Sequence, residues 1–213
     1  MIVSKLFILS LAAGMAIFVG ACPDKKQANI NANANVSTAP PSPEKIDNAK
    51  IKSSPGAASA AMELQFIDSL TAHHEIAIAM AKEVEGKLTH PELAEFAKKI
   101  AAEQQKEIDQ MKKWRSVWYP GDSPAINADM PGMSYSVVRW DMAALRAAAG
   151  SEKDVEFMSQ LIPHDQGAIL IANEGLHKTE NPEIHKLCEE LIRTRGIEMK
   201  QMQDWQSAWI KPY

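Results

Sequence analysis

Residues 64–118 and residues 155–209 of this chain repeat each other at a constant offset of 91 positions, without a gap. A match of this length indicates that one ancestral unit is used twice, so the fold must hold two copies of one supersecondary structure. The identical pairs include Phe66/Phe157, Leu70/Leu161, His73/His164, Ala77/Ala168, Glu107/Glu198, Met111/Met202, Trp114/Trp205 and Trp118/Trp209.

Each unit carries the hydrophobic pattern of a helical hairpin. In the first unit, one stripe of residues runs from Phe66 to Leu88 in steps of three or four, which is the spacing of one helix face. Pro91 and Glu92 then suit the first turn of a second helix, where no N–H is needed and a negative charge faces the positive end of the dipole. Because the second unit repeats this pattern, we predict an all-α protein, a four-helix bundle of two hairpins with pseudo-two-fold symmetry.

A long crossover link, residues 119–150, connects the two units and contains the turn motifs YPGDSP and MPGMS. A short helix is predicted inside this link, over about residues 136–149. Met130 and Met133 lie in the MPGM loop. Their thioethers either face solvent or pin the link onto the bundle, and the sequence leaves both readings open.

The second copy departs from the first in one helix. Pro163 stands where the first copy has Ala72, and we expect it to remove one hydrogen bond, free the carbonyl of Ser159 and kink the helix. Gly167 stands where the first copy has Ile76, which permits closer approach of a neighbouring segment.

The N-terminal part reads as an export signal and a spacer. Residues 1–22 place one Lys before an apolar run and end in Val-Gly-Ala-Cys, which predicts a lipoprotein signal peptide cleaved before a lipidated Cys22. Residues 23–60 are rich in Asn, Ala, Ser and Pro, and such a segment cannot bury enough apolar surface to fold, so we predict a disordered linker. The bundle is therefore expected over residues 61–213, on a protein lipid-anchored in the bacterial cell envelope.

Charge and cysteine content restrict the partners and the stabilising bonds. The chain has 23 Lys and Arg against 27 Asp and Glu, a net charge of −4, which argues against nucleic acid, since that partner requires clustered positive charge. Cys22 and Cys188 are the two cysteines. If Cys22 carries lipid, no intramolecular disulfide forms and the core alone must hold the fold.

Several polar residues fall on helix faces that should be buried. His73 and Glu107 lie on the two core stripes of the first hairpin, and they are predicted to lie within about half a turn of each other in height. The repeat places His164 and Glu198 in the same way. We therefore predict a polar layer that crosses the bundle core and is edged by further candidate ligands, namely His74, Asp165, Met80, Met111 and Met202.

Two interpretations of this layer stay open. A buried His beside a buried Glu is often a satisfied pair that only sets helix register. Two converging pairs with thioethers nearby also make a metal site, in which His and Met suit copper or silver while carboxylates admit harder ions. A di-iron site needs two Glu-x-x-His motifs, and this spacing occurs at residues 174–177 but not at the corresponding place in the first unit, so ferroxidase activity is not expected.

The motifs and their order resemble those of domain-of-unknown-function family 305. FMSQLIPHDQGAILIA, residues 157–172, is similar to the family signature F-x-x-x-M-I-P-H-H-x-x-A-I-x-M-A, and AHHEIAIAMA, residues 72–81, resembles it again. MPGMS and the E-I-x-x-M-x-x-W-like ends of both units also fit. The resemblance covers about residues 61–213 and implies a ferritin-like four-helix bundle, usually exported, with copper or silver handled by Met and His in some members.

The chain departs from that signature at positions of soft ligands. Leu161 replaces the Met before Ile-Pro-His-His, Asp165 replaces the second His, and Ile171 replaces the later Met. The first unit keeps His74 and Met80. The resemblance therefore implies fewer thioether and imidazole ligands here than in the family pattern, above all in the second unit.

The predicted function is envelope-anchored metal binding, with copper or silver as the ion, for buffering or transfer and not for catalysis. The expected partners are a membrane through the lipid anchor, a metal ion, and another copy of the chain or a metal-handling protein. The alternative is a structural or interaction lipoprotein whose polar layer binds no metal. The predicted metal-site residues are His73, His74, Met80, Glu107, Met111, Met130, Met133, His164, Asp165, Glu198 and Met202.

Overall fold

The structure, a computed structural model, describes residues 51–134 and 140–209. No strand occurs in these two segments, and the all-α prediction is confirmed. A short 3-10 helix, Ala57–Ser59, precedes the bundle. The α-helices are α1 (Met62–Glu83), α2 (Pro91–Trp118), α3 (Met142–Ala147), α4 (Ser151–Lys178) and α5 (Pro182–Trp209).

The four long helices form the predicted bundle of two hairpins. Helix α1 packs along α2, and α4 packs along α5; the two hairpins meet mainly through α1 and α4. The backbones of α2 and α5 make no comparable approach within the described segments, so long side chains must bridge these two helices. None of the described helices is long and apolar enough to cross a membrane.

The helix boundaries follow local sequence signals, with one correction. Helix α2 begins at Pro91, as predicted. Helix α1 ends at Glu83 and not near Leu88, because Gly86 adopts a φ of 68° that a right-handed helix cannot contain. Helix α4 runs through Pro163 without interruption.

The crossover helix α3 is shorter than the predicted 136–149. It begins after Asp141, whose carboxylate Oδ1 accepts hydrogen bonds from the backbone N–H groups of Ala143 and Ala144 at 2.9 and 3.0 Å. Residues 135–139, the start of the predicted helix, lie outside the described residues. So do Cys22, the signal peptide and residues 23–50.

The folded domain begins earlier than residue 61. The backbone N–H of Ser54 donates to the carbonyl of Ile126 at 2.8 Å, and the hydroxyl of Ser53 accepts from the N–H of Ala128 at 3.0 Å. Ala57 is buried. The last ten residues of the predicted disordered linker therefore pack on the crossover link, because their backbone groups find partners that composition alone does not reveal.

The core consists of two apolar clusters separated along every long helix. In α1 the residues before position 73 belong to one cluster and most of those after position 74 to the other, and the same division recurs in α2, α4 and α5. The cluster that contains Phe157 and Trp140 is called the link-side cluster, and it includes most of the apolar α1 residues after position 74. The cluster that contains Phe66 and Cys188 is called the loop-side cluster, and it includes most of the apolar α1 residues before position 73. Polar residues occupy the division between them.

The MPGM loop packs directly on α4. Gly132 has a φ of 97°, and a Cβ there would overlap the carbonyl oxygen of Gly167 and lie 2.9 Å from the backbone nitrogen of Ile171. The loop therefore lies against the backbone of α4 at Gly167 and Ile171. A glycine is needed at position 132, since a side chain there would separate the loop from the helix.

The Gly132→Ala variant is expected to lose about 2–4 kcal/mol of unfolding free energy, from a strained φ and a backbone clash together. The control is Gly121→Ala, because Gly121 has a φ of 84° with no atom within 4 Å of an added Cβ. That variant should lose only about 1 kcal/mol. Urea unfolding of both variants measures the difference, and equal losses would contradict the proposed contact with α4.

A candidate metal centre in the buried polar layer

The polar layer is built from four pairs of repeat-related residues, one set on each long helix. Their side chains are buried except for the carboxylate of Glu107, which is 16% exposed. The predicted layer therefore exists, although it contains two members that the sequence did not single out, Gln104 and Arg195. The pairs are His73/His164, His74/Asp165, Gln104/Arg195 and Glu107/Glu198.

The two repeat-related histidines meet at the interface of the hairpins. The rings of His73 and His164 stack with centroids 3.8 Å apart and an interplanar angle of 30°. His73 also hydrogen-bonds the backbone of His164, and the ring of His74 lies 5.9 Å from that of His73. The histidines of the two units therefore share one location and do not form two separate sites.

The predicted pairing of histidines with glutamates is wrong in detail. Glu107 contacts His74, with Oε2 2.8 Å from Nε2, and not His73. Successive residues of a helix point about 100° apart, so His73 faces α4 while His74 faces α2. Glu198 pairs with Arg195 and not with His164.

Arg195 connects the outer helices α2 and α5. Its Nη2 donates to Oε2 of Glu107 at 2.6 Å, and its Nη1 donates to Oε2 of Glu198 at 2.9 Å. The side chain is only 1% exposed. A sequence signal for this role existed: Arg195 stands three residues before Glu198, on the same helix face, as Gln104 stands before Glu107.

Burial keeps the imidazoles neutral. It lowers the pKa of His164 to about 3, with smaller contributions from His74 and Arg195. Burial likewise lowers the pKa of His73 well below its usual value, helped by the neighbouring His164 and His74. The pKa of His74 is lowered by burial too, although the contact with Glu107 opposes this. All three rings therefore keep a lone pair on one nitrogen at neutral pH.

The pKa values of the carboxyl groups in the layer shift in different directions, because each group has different neighbours. Burial raises the pKa of Asp165 well above its usual value, and Arg195 only partly counteracts this. Burial also raises the pKa of Glu198. Burial raises the pKa of Glu107 as well, but the contacts with His74 and Arg195 outweigh this effect, so the pKa of Glu107 is lowered. The layer therefore favours the charged form of Glu107 beside Arg195 and disfavours ionisation of Asp165 and Glu198.

Several buried polar atoms of the layer make no hydrogen bond within the described part of the chain. They include both ring nitrogens of His164, Nδ1 of His74, and both carboxyl oxygens of Asp165. Buried atoms of this kind are rare, and an unassigned ion or water is one ordinary explanation. Among the described residues, however, no three His, Cys, Asp or Glu side chains are arranged to hold a metal ion.

The methionines lie in two groups on opposite sides of the layer. Met80 and Met202 are buried in the link-side cluster, and Met111, Met130 and Met133 are buried in the loop-side cluster. The reading that placed the Met130 and Met133 sulfurs in solvent is therefore wrong, and the two residues pin the link onto the bundle. The reason is the close contact of their loop with α4.

Comparisons with known proteins agree with this fold. The family model for the domain of unknown function DUF305 matches residues 24–115 and 63–206. No curated protein matches the chain.

Solved structures of CopM in the Cu(I)-bound and Ag-bound forms are each 36% identical to this chain, cover 70% of it and 98% of their own chain, and have TM-scores of 0.60 and 0.59. A DUF305 protein from Streptomyces coelicolor, 20% identical, covers 70% of this chain and 92% of its own with a TM-score of 0.60, and shows the same fold. The chain belongs to the DUF305 family.

Proposed function

We propose that this protein binds a soft monovalent metal ion, Cu(I) or Ag(I), in the polar layer, and that it stores or hands on the ion without catalytic turnover. One observation carries the proposal: three buried imidazoles, those of His73, His74 and His164, are held neutral at the meeting point of the two hairpins. A neutral imidazole is the form that binds metal ions.

The donor atoms present suit such an ion. The ring nitrogens of His164 and Nδ1 of His74 are buried without a hydrogen-bond partner in the described part of the chain. Soft ions accept imidazole and thioether ligands and low coordination numbers, so they do not require a cage of carboxylates. The likeness to CopM, whose structures hold Cu(I), Cu(II) or Ag, supports the same choice of ion.

The methionine thioethers supply further candidate ligands for the ion. Met111 and Met202 each follow a layer glutamate by four residues, one in each apolar cluster. Met80, Met130 and Met133 lie in the same clusters. We propose that these sulfurs, in addition to the imidazoles, act as soft ligands while the ion enters or leaves the protein.

Titration of the purified protein with Ag(I) is expected to give a dissociation constant below tens of micromolar, which corresponds to about −6 kcal/mol or better. The His73→Leu/His164→Leu variant is expected to bind at least about tenfold more weakly, because it loses the two stacked imidazoles. Isothermal titration measures both values, and competition with a Cu(I) chelator repeats the measurement for copper.

The control variant is His177→Leu, because His177 is exposed at the end of α4 and its Nδ1 lies 2.6 Å from the local carbonyl oxygen of Asn173. Its affinity for Ag(I) should equal that of the unaltered protein. Unchanged Ag(I) affinity in the double variant would remove the layer from the proposed site.

We propose further that the protein is exported and held in the cell envelope by lipid on Cys22. The support is the leader-like run before Cys22 and the polar segment after it. The Cys22→Ala variant is expected to move from the membrane fraction to the soluble fraction of cells. Retention of this variant in the membrane fraction would contradict the anchor.

One observation favours a second candidate function, a structural or interaction protein. Arg195 already joins Glu107 and Glu198 in an internal ion network, which is how a purely register-setting layer would look. In that case the His73→Leu/His164→Leu variant changes the free energy of unfolding while metal binding is absent in both proteins.

A further inference from the structure

The guanidinium of Arg195 lies between two carboxylates, at the position where a metal cation would bind in its absence. Its guanidinium lies between Glu107 of α2 and Glu198 of α5, at N–O distances of 2.6 and 2.9 Å, in a side chain that is 1% exposed. These two helices make few backbone contacts, so the guanidinium is their bridge across the layer. A divalent ion in carboxylate-lined bundles bridges helices in the same manner.

The other polar groups near Arg195 are of the chemical kinds that hard or borderline metal ions bind, and with Arg195 in place the described side chains are not arranged around a metal position. Asp165 is fully buried, makes no hydrogen bond in the described part of the chain, and lies within electrostatic reach of Arg195, Glu198 and Glu107. His74 Nε2 lies 2.8 Å from Glu107. Carboxylates with one or two imidazoles suit Mn²⁺, Fe²⁺, Co²⁺ or Zn²⁺.

Charge balance shows why these donors do not need a metal ion here. The two glutamates carry two negative charges when ionised, and Arg195 supplies one positive charge at the position between them. Removing the guanidinium leaves the two carboxylates unbalanced in a buried site, which is unfavourable. A divalent cation would balance both.

We propose that Arg195 is a built-in substitute for a metal ion, and that it determines the metal selectivity of the layer by excluding divalent cations from the Glu107–Glu198–Asp165 group. The repeat supports a test by a single change. The equivalent position in the first unit is Gln104, which is 1% exposed in the same layer. A neutral amide therefore fits at this height in the bundle.

The two glutamate side chains of the group keep partial contact with solvent. Glu107 is 16% exposed and Glu198 is 7% exposed at their side chains, on the side where α2 and α5 are least in contact. The imidazoles of His73 and His164 lie deeper and are 1% exposed. Arg195, itself 1% exposed, contacts both glutamates and lies within electrostatic reach of the two histidines.

The test compares the full protein with its Arg195→Gln variant in titrations with Co(II), followed by visible absorption and calorimetry. The unaltered protein should bind Co(II) weakly, and the variant should bind one equivalent at least about tenfold more tightly, with d–d bands of a protein-bound ion. Its thermal midpoint should rise when Co(II) is added. A folded variant that binds Co(II) no better than the unaltered protein would overturn the proposal.

Two further variants assign the effect. Arg195→Lys keeps the positive charge and should gain no Co(II) affinity, whereas equal gains in the Lys and Gln variants would overturn the proposal. Arg195→Gln/Glu107→Gln should lose the gain, because one carboxylate ligand is gone. If Arg195→Gln does not fold alone, Co(II) or Zn(II) should restore its helical signal, and a chain that stays unfolded with both ions counts against the proposal.

The proposal goes beyond soft-metal binding and does not depend on it. Ag(I) affinity reports the histidines, and it is measured on the unaltered protein in parallel with the Co(II) titrations. If the unaltered protein does not bind Ag(I), the proposed function is refuted and the proposal for Arg195 is unaffected. If Arg195→Gln gains no Co(II) affinity, the proposal for Arg195 is refuted and the proposed function is unaffected.

Discussion

The Arg195→Met variant is expected to lose about 3–5 kcal/mol of unfolding free energy at neutral pH in the absence of added metal. Methionine occupies similar volume but leaves Glu107 and Glu198 without their shared partner in a largely buried layer. Removing one member of a buried ion network costs far more than the network contributes over an apolar replacement, because the remaining charges stay desolvated. Urea unfolding measures the loss.

Two controls separate this effect from a general loss of helix stability. Arg193 lies two residues away on the same helix and forms an exposed pair with Glu190, so Arg193→Met should cost less than about 1 kcal/mol. In a Glu107→Gln/Glu198→Gln background, Arg195→Met should cost much less than in the unaltered protein. Similar losses in both backgrounds would mean that charge is not the cause.

Acidification is expected to destabilise the protein through its buried histidines. The pKa of His164 is about 3 in the folded state and about 6.5 in the unfolded chain, so the unfolded chain binds more protons between these values. Stability therefore falls as pH falls from about 6.5 towards about 3. Between pH 6.5 and pH 5 this single residue should remove about 2 kcal/mol, and His73 and His74 act in the same direction.

The titration of Asp165 changes stability with pH in the opposite direction, so this residue supplies the matched control. Its pKa is raised in the folded state, so above its unfolded pKa the folded protein keeps a proton that the unfolded chain releases, and stability falls as pH rises. Asp165→Asn should therefore be more stable than the unaltered protein at neutral pH and should lose more stability on acidification. His164→Asn should flatten the acid loss. Denaturant unfolding at several pH values tests both, and parallel curves for all three proteins would contradict this account.

The repeat made the architecture predictable because it is a property of residue spacing along the chain. The steps of three and four from Phe66 identified a helix face, and the offset of 91 positions transferred that assignment to the second unit. The signals at Pro91 placed the start of α2 correctly. Compositional reasoning failed at residues 51–60, where Ser54 bonds to the link and Ala57 is buried although the segment is rich in small and polar residues.

The candidate site was predicted less completely because a polar core residue is recognised by its partners. Arg195 shares a helix face with Glu198, but its second partner, Glu107, lies 88 positions away in the chain and is brought beside it only by the fold. For Met130 and Met133 the sequence left two interpretations open, solvent exposure or packing on the bundle, and the contact of Gly132 with Gly167 decides for packing. Both contacts join distant parts of the chain, which periodicity does not describe.

The sequence by itself determined the four long helices, their two-fold repetition, and the positions of His73, His164, Glu107 and Glu198 on buried faces, since spacing alone sets which residues share a face. Only the tertiary structure decided that His73 meets His164, that His74 meets Glu107, and that Arg195 enters the layer. Neighbouring residues on a helix differ by about 100° in direction. The rotation of each helix about its own axis, which selects among them, is set by the packing of all four helices together.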